Sequence, residues 1–561
     1  MPSSFNRILS VLLLFGITAL IYSTRLLTPT PKPTRFLTTS YRFDTHPNAH
    51  TRITPKKVAI IGAGSAGAST AYYLRRFATN ASIPLDITVF ERSDFVGGRS
   101  TTVNAYDDAD HPIELGASIF VEVNANLVSA TEELGLDVVD LERVPRDEGE
   151  EREFSANFAV YNGEEMVFTM PYIDGKKDAW WNNIKVLWRY GMAPIYTQRL
   201  MKSTVGKFLS FYAPPVFPFK DLTETAINAG LLETTGVTGQ QYLEKNGIAS
   251  KWSNEVIQAS TRVNYGQNLG LIHGLETMVC MAAEGALAIK GGNWRIFAGM
   301  IGRAEATLKL GTTVTDISKD ESGKWRLATE DGPVSGKFDE VVVAAPWQFA
   351  NLTMTPELEG KPDEIPYVTL HVTLFASPHT PAPEFYGLSA GEKVPEAVLT
   401  TLTEAEQADD KINGGRGEAA AGKSGFFSIS TLRKLTRKGP DGKDRKEYIY
   451  KIFSPKPFDD AGLARVLGKE KLGEDDVTWV YRKVWKSYPY ELPRVTFEKI
   501  KLADGLWYTS GIESFISTME TSSLMGSNVA GLIVEEWLSG KENGEGEKLV
   551  VQGGEKGRKE L

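Results

Sequence analysis

Residues 56–99 read KKVAIIGAGSAGASTAYYLRRFATNASIPLDITVFERSDFVGGR. The run Val58–Ile61 is apolar and stops at glycine, the pattern of a buried parallel strand. Gly62, Gly64 and Gly67 then supply G-x-G-x-x-G, with Ala63, Ser65 and Ala66 between them. In this motif the first glycine makes the tight turn and the second lets backbone N–H groups approach a pyrophosphate. The third lets the following helix pack on the strand. A helix predicted over Ser65–Phe77 aims its N-terminal N–H groups and its dipole at the phosphates. A second strand, Asp86–Phe90, ends at Glu91, 24 residues after Gly67, where a carboxylate suits an adenosine ribose hydroxyl. A lone glycine turn is weak evidence, but strand, helix and acid in this order predict a dinucleotide site.

Working outward, Val96-Gly97-Gly98-Arg99 follows at once. A Gly-Gly-Arg shortly after the ribose acid resembles the extended fingerprint of FAD-binding oxidoreductases of the amine-oxidase type. There the arginine reaches back to the pyrophosphate. The resemblance implies FAD rather than NAD, with Arg92, Gly98 and Arg99 joining the cofactor contacts.

The chain has 561 residues, enough for two or three domains. Its net charge of −9 argues against a nucleic-acid partner. Cys280 is the single cysteine, so an intrachain disulfide and a cysteine-based metal site are excluded. His46 and His50 have a helical metal-site spacing, but Pro47 lies between them in a Pro/Thr-rich stretch. No metal is expected. At the amino terminus Arg7 precedes an apolar run, Ile8–Tyr22, which is short for a spanning helix of about 20 residues. It reads as a signal peptide, with an uncleaved signal anchor as the alternative. The expected location is the secretory pathway, a lysosome or vacuole, or the exterior. Asn80-Ala81-Ser82 and Asn351-Leu352-Thr353 are acceptor sequons that fit such a fate.

The amine-oxidase-type resemblance implies a discontinuous plan. A signal segment (1–25) and linker (26–55) precede a FAD-binding domain assembled from 56–140, 285–346 and 501–539. A substrate domain is assembled from 141–284 and 347–500, and 540–561 is a polar tail. Phe154–Phe168 reads as a strand pair around Asn162-Gly163. Asp178–Tyr190 places Trp180, Trp181, Ile184, Leu187 and Trp188 on one helical face, and Tyr196–Tyr212 repeats the pattern. The plain reading is two core-packing helices with a solvated basic face. The alternatives are an apolar tunnel wall or a surface resting on a membrane. Arg295–Leu308 is predicted helical, and Leu310–Val314 a strand. Val341–Ala345 is a buried parallel strand. Glu404–Ser424 reads as a charged loop, and Ser523–Leu538 as a closing helix.

Near the carboxyl end, Trp507 to Glu513 and then Met519-Glu520-Thr521-Ser522 form a strand–glycine–helix element. It would lay a second helix N-terminus on a flavin. With IIGAGSAGASTAYYLRR (60–76), VFERSDFVGGR (89–99), ELGASIF (114–120), TRVNYGQN (261–268), GGN (291–293) and GIESFISTMETSSLMGSNVAG (511–531), the chain resembles the prenylcysteine oxidase (prenylcysteine lyase) family. The resemblance runs from about Lys56 to Leu538 and implies a fold and a chemistry. The fold is α/β: a Rossmann-type, amine-oxidase-like, discontinuous FAD-binding domain with a mixed α+β substrate domain. The implied cofactor contacts add Gly116, Ala117, Ser118, Val314, Gly511, Glu513, Met519, Glu520 and Thr521. The implied chemistry is oxidative cleavage of a farnesyl- or geranylgeranyl-cysteine thioether with O2 as acceptor, giving prenyl aldehyde, cysteine and hydrogen peroxide. Tyr265, Gln267 and Asn293 are the candidate catalytic residues. Competing readings are a flavin amine oxidase or desaturase on another apolar substrate, and a non-catalytic flavin- or isoprenoid-binding protein.

Overall fold

The computed structural model describes residues 54–140, 152–173, 176–282, 284–439 and 442–542. The amino-terminal apolar run, the linker up to residue 53 with His46 and His50, and the tail beyond residue 542 lie outside the described residues. No helix among the described residues is long and apolar enough to cross a membrane.

Strand β1 (Lys56–Ile61) turns through glycine into α1 (Ser65–Asn80), and β2 (Leu85–Phe90) lies parallel beside β1. After α2 (Ala125–Leu134) the chain leaves this unit. Strands β3 (Phe158–Tyr161) and β4 (Met166–Met170) form the expected hairpin. The helices α3 (Lys176–Tyr190), α4 (Ala193–Phe208), α5 (Gln258–Tyr265) and α6 (Gly274–Cys280) follow. The chain returns with α7 (Trp294–Arg303), β5 (Thr307–Lys309) and β6 (Glu340–Val343). It leaves again for β7 (Tyr367–Ser377), β8 (Ala397–Thr400), β9 (Ser428–Lys438), β10 (Asp444–Ser454) and β11 (Trp479–Pro489). Strands β12 (Lys501–Ala503) and β13 (Leu506–Tyr508) and helix α8 (Met519–Glu542) close the fold.

Two large sheets result. The first has the order β5-β2-β1-β6-β13-β12, parallel except for the edge strand β12. Its middle strands are apolar on both faces and buried, as a sheet covered on both sides requires. Helices α1 and α8 cover one face and approach so closely that a Cβ on Gly526 would intrude on the Ala66 carbonyl. A hydrogen bond from Ser69 Oγ to Ser523 Oγ (2.7 Å) joins them. A four-stranded sheet built on Val314–Lys319 and Trp325–Thr329 covers the other face. The second large sheet has the order β11-β7-β10-β9-β8-β3-β4.

Several local expectations change. Helix α7 ends at Arg303, because Glu305 takes a left-handed φ of 52° and Thr307–Lys309 becomes an edge strand. The predicted strand Leu310–Val314 is a turn through Gly311 (φ 58°), and the strand starts at Val314. The charged loop at 404–424 folds into short helices, Glu404–Gln407, Asp410–Asn413 and Glu418–Ala421. Helix α8 starts four residues early, at Met519, and runs through Gly540 into the expected tail. On α3 the tryptophans are not in the core. Asn182, Asn183, Val186 and Tyr190 take the inward positions, and Trp180, Trp181 and Trp188 are exposed.

Candidate active site

A cavity of about 920 Å³ runs from the glycine turn after β1 to the far end of α4. The loop shape fits a dinucleotide. Gly62 needs glycine twice over: its φ is 109°, and a Cβ would lie 2.7 Å from the Ala344 carbonyl oxygen. Gly67 allows the close pass of α1, since a Cβ there would intrude on the Gly62 carbonyl. Gly64 is different. The nearest heavy atom to an added Cβ is the Gly97 oxygen, at 4.0 Å, so bare backbone faces the cavity with room for a pyrophosphate. Glu91, buried at the end of β2, accepts from Ala63 N (2.8 Å) with Oε2 and from Ser93 N (2.9 Å) with Oε1. A carboxylate offers about four acceptor sites, so capacity remains for a ribose hydroxyl.

The start of α8 reaches the same cavity through Thr518, Met519, Glu520 and Thr521. Ser65 Oγ donates to the Met519 carbonyl (2.6 Å), locking the first turns of α1 and α8 together. Two helix N-termini with their positive dipole ends therefore converge on one space, suited to an anionic cofactor. Sequence and structure together fit FAD.

Of the residues expected to touch cofactor, Gly62, Gly64, Ser65, Ala66, Glu91, Arg92, Gly98, Arg99, Gly116, Ala117, Ser118, Val314, Glu513, Met519, Glu520 and Thr521 line the cavity. Ala63, Gly67 and Gly511 do not. Gly511 instead packs on Glu498, whose Cβ would be 2.8 Å from an added Cβ. The Arg99 guanidinium is held by Glu513 (2.6 Å) and donates to the Ser487 carbonyl (2.9 Å), while Tyr367 Oη also donates to Glu513 (2.9 Å). Glu520 accepts from Asn126 N and Leu127 N at the start of α2, and burial raises its carboxyl to about 7.

The three candidate catalytic residues separate. Tyr265 lines the cavity and donates to the Ser517 carbonyl (3.1 Å). Gln267 and Asn293 are not among the lining residues. Gln267 spans Pro489 O and Glu491 N, at 3.0 and 2.8 Å. Asn293 accepts from Ile289 N and donates to the Ala117 carbonyl. Both side chains are spent on holding backbone, which corrects their assignment as reacting groups. Neighbouring Asn268 is spent in a similar way: Oδ1 accepts from the buried Arg262 (2.7 Å) and Nδ2 donates to the Ile412 and Ala420 carbonyls, each at 3.0 Å. Arg262 also donates to the carbonyls of Ala420 and Ala421 and to Thr400 Oγ1.

The structure adds Lys451, Glu114, Glu276 and Glu491, which the sequence reading missed. Lys451, midway along β10, is buried and lines the cavity, donating to Ser118 Oγ and the Glu114 carbonyl, each at 3.2 Å. Burial lowers its ammonium to about 8. Its one signal in the sequence is a lone lysine inside the apolar strand YIYKIF. Glu114 alongside accepts from Asn293 N (2.6 Å), and burial raises it to about 7. Behind Tyr265 lies a fully buried group of His273, Glu276 and Glu491. Burial pushes both carboxyls up and the imidazole down, to about 3. His273 Nδ1 accepts from Glu276 N (3.1 Å), so the ring proton sits on Nε2, which faces Glu491 at 3.5 Å. A protonated Nε2 offers no lone pair to a metal ion. Ser517 connects this group to the cavity: its N–H donates to Glu276 Oε2 (3.2 Å) and its carbonyl accepts from Tyr265 Oη.

One wall of the cavity is mostly apolar: Val205, Phe208, Leu209 and Tyr212 from the end of α4 and the turn after it, with Val263, Val279 and Ile516 also lining the space.

The profile of the prenylcysteine lyase family matches residues 173–545, and that of an NAD(P)-binding Rossmann-like domain matches residues 60–133. The chain is 28% identical over 501 residues to farnesylcysteine lyase of Arabidopsis thaliana, covering 86% of this chain and 89% of that protein. It is 29% identical over 524 residues to prenylcysteine oxidase 1 of Rattus norvegicus, covering 87% and 91%. Among solved structures, putrescine oxidase bound to putrescine superposes with a TM-score of 0.51 at 14% identity, over 86% of this chain and 99% of that one. At that identity the likeness is one of fold.

Proposed function

The chain belongs to the prenylcysteine lyase family and is an FAD-dependent oxidoreductase, and from that premise we propose that it oxidises the thioether of a prenylated cysteine. The overall change is prenyl–CH2–S–cysteine with O2 and water to prenyl aldehyde, cysteine and hydrogen peroxide. Bound FAD would supply the two-electron acceptor for the hydride of the carbon beside sulfur, with O2 as the final oxidant. The chain's own residues supply position, dryness and proton handling. The observation that carries this reading is the continuity of the cavity, from a dinucleotide loop to an apolar wall of Val205, Phe208, Leu209 and Tyr212. An isoprenoid tail fits against that apolar wall, in the same space as the cofactor loop. Exclusion of water by that wall protects the reacting carbon until the electrons have left.

Lys451 brings a buried ammonium to the cavity wall, where a fixed charge in a dry site needs no solvent reorganisation and would stabilise negative charge gained by the cofactor. The water that completes cleavage loses a proton. Tyr265 stands on the cavity wall with Glu276 behind it, a carboxyl whose raised pKa keeps it ready to exchange a proton near neutrality. Tyr265 carries that proton between the cavity and Glu276 once its hydroxyl turns from the Ser517 carbonyl.

The lining cations Lys451 and Lys483 suit the carboxylate of a free cysteine. The test is anaerobic mixing of the flavin-loaded protein with farnesylcysteine. Bleaching of the flavin absorbance is expected, followed by one peroxide per aldehyde once air is admitted. A flavin that stays oxidised with farnesylcysteine refutes the reaction.

A further inference from the structure

Helix α3 is amphipathic with its apolar side turned outward. Its buried side carries Asn182 and Asn183 beside Val186 and Tyr190. Its outer side carries Trp180, Trp181, Ile184 and Trp188, with the tryptophans 57%, 50% and 90% exposed. Met192 and Tyr196 extend the strip across the turn into α4. Isolated exposed apolar residues need no explanation, but a contiguous aromatic strip on two adjoining helices marks a contact surface. The strip's charge is equally local. Lys185, Arg199 and Lys202 are exposed along it, although the chain as a whole carries −9. Tryptophan and tyrosine with flanking lysine and arginine is the composition that settles in the headgroup layer of a bilayer. The same helix α4 then turns inward, and from Val205 onward its residues form the apolar wall of the cavity.

We propose that this strip docks the protein on an anionic phospholipid bilayer, with Trp180, Trp181 and Trp188 inserted among the headgroups and Lys185, Arg199 and Lys202 against lipid phosphates. Helix α4 then joins the bilayer surface to the cavity. A prenyl-tailed substrate dissolved in the bilayer reaches the active site along it without crossing bulk water. That route rests on the reaction proposed above; the docking does not.

The test is co-sedimentation of the full chain with vesicles of phosphatidylcholine alone and of phosphatidylcholine with phosphatidylserine. The wild type is compared with Trp180→Ser/Trp181→Ser/Trp188→Ser and with Lys185→Glu/Lys202→Glu. The amino-terminal apolar run is the same in all three, so it cancels from the comparison. The expected result is preference for the anionic vesicles and a fall of roughly 10²-fold in the partition coefficient on loss of the three aromatic anchors. The charge-reversed variant loses the preference for phosphatidylserine. The serine variant keeps its flavin and its bleaching by dissolved farnesylcysteine, because none of the three tryptophans lines the cavity. Equal vesicle binding by wild type and serine variant overturns the proposal. So does concentration-dependent self-association that the serine variant abolishes, with no binding to either vesicle. Failure of farnesylcysteine to bleach the flavin removes the route and leaves the docking result to stand on the vesicle data.

Discussion

Replacing Gly64 by valine separates cofactor binding from folding. The backbone there has φ −77° and ψ −169°, a conformation open to any L residue, and an added Cβ meets nothing nearer than the Gly97 oxygen at 4.0 Å. Losing glycine at this helix N-cap costs about 1 kcal/mol. A stiffer unfolded chain offsets about 0.4–1 kcal/mol of that, so the variant should fold with nearly the stability of the flavin-free parent. The isopropyl group stands on the cavity side of the loop and holds a pyrophosphate away from the loop N–H groups. Each charge-assisted hydrogen bond lost costs about 1.5–3 kcal/mol. Two together weaken FAD binding by about 3–6 kcal/mol, or roughly 10²–10⁴-fold in Kd. The assay is the ratio of flavin to protein absorbance after purification, read beside circular dichroism. Gly67→Ala is the counterpart. Its Cβ would press on the Gly62 carbonyl and lie 3.2 Å from Ile60 Cγ2, so that variant should lose both fold and flavin. Full flavin occupancy in Gly64→Val refutes the site, and a Gly64→Val chain that does not fold refutes the argument from open space.

Lys451→Met should lower the rate of flavin reduction by roughly 10²-fold. In the wild type, activity should fall as pH rises through about 8, where Lys451 loses its proton; an unchanged alkaline limb in the methionine variant removes Lys451 from the mechanism. Glu114, at about 7 in the fold against its ordinary 4.5, keeps its proton where the unfolded chain has lost it. The stability it contributes is complete below pH 4.5 and is lost as pH rises through about 7, a change of about 3 kcal/mol. Glu114→Gln should therefore gain in Tm relative to wild type across that window, and a constant difference between the two contradicts the shift. Arg262→Met leaves Asn268 Oδ1 without its donor and takes one of two donors from each of the Ala420 and Ala421 carbonyls, and should cost about 3 kcal/mol. Its flavin content should be unchanged, since Arg262 is not among the cavity-lining residues; loss of flavin at a temperature where the variant remains folded would count against the structural role.

What was legible in the sequence was local. The glycine turn, the flanking strand and helix, and Glu91 sit within one short stretch whose spacing follows from backbone geometry, and the structure places them as that spacing requires. Periodicity also identified α3 as amphipathic, but it does not say which side faces inward. There the polar pair Asn182 and Asn183 faces in, with Asn182 Nδ2 against Met170 Sδ. Gln267 and Asn293 were candidates through the resemblance of the TRVNYGQN and GGN segments; only long-range pairing, to Pro489 and Glu491 and to Ala117, shows their hydrogen bonds to be spent. Lys451 was invisible for the opposite reason. Its position on the cavity wall depends on Glu114 and Ser118, which reach it from a distant part of the chain.

The strand order of the first sheet sets a timetable for biosynthesis. Strand β1 is among the first parts of the fold to leave the ribosome, yet it lies between β2 and β6, and β6 in turn pairs with β13. At usual elongation rates, roughly 20–90 s separate the emergence of Ile61 from that of Tyr508. Through that interval the apolar edge of β1, and later that of β6, waits unpaired, the condition under which nascent chains recruit chaperones or aggregate. The start of α8 comes later still, so the glycine loop meets its partner helix only when synthesis is almost finished. Flavin supply should therefore matter most at the end of translation, and truncation before Lys501 should leave an insoluble chain rather than a weak enzyme.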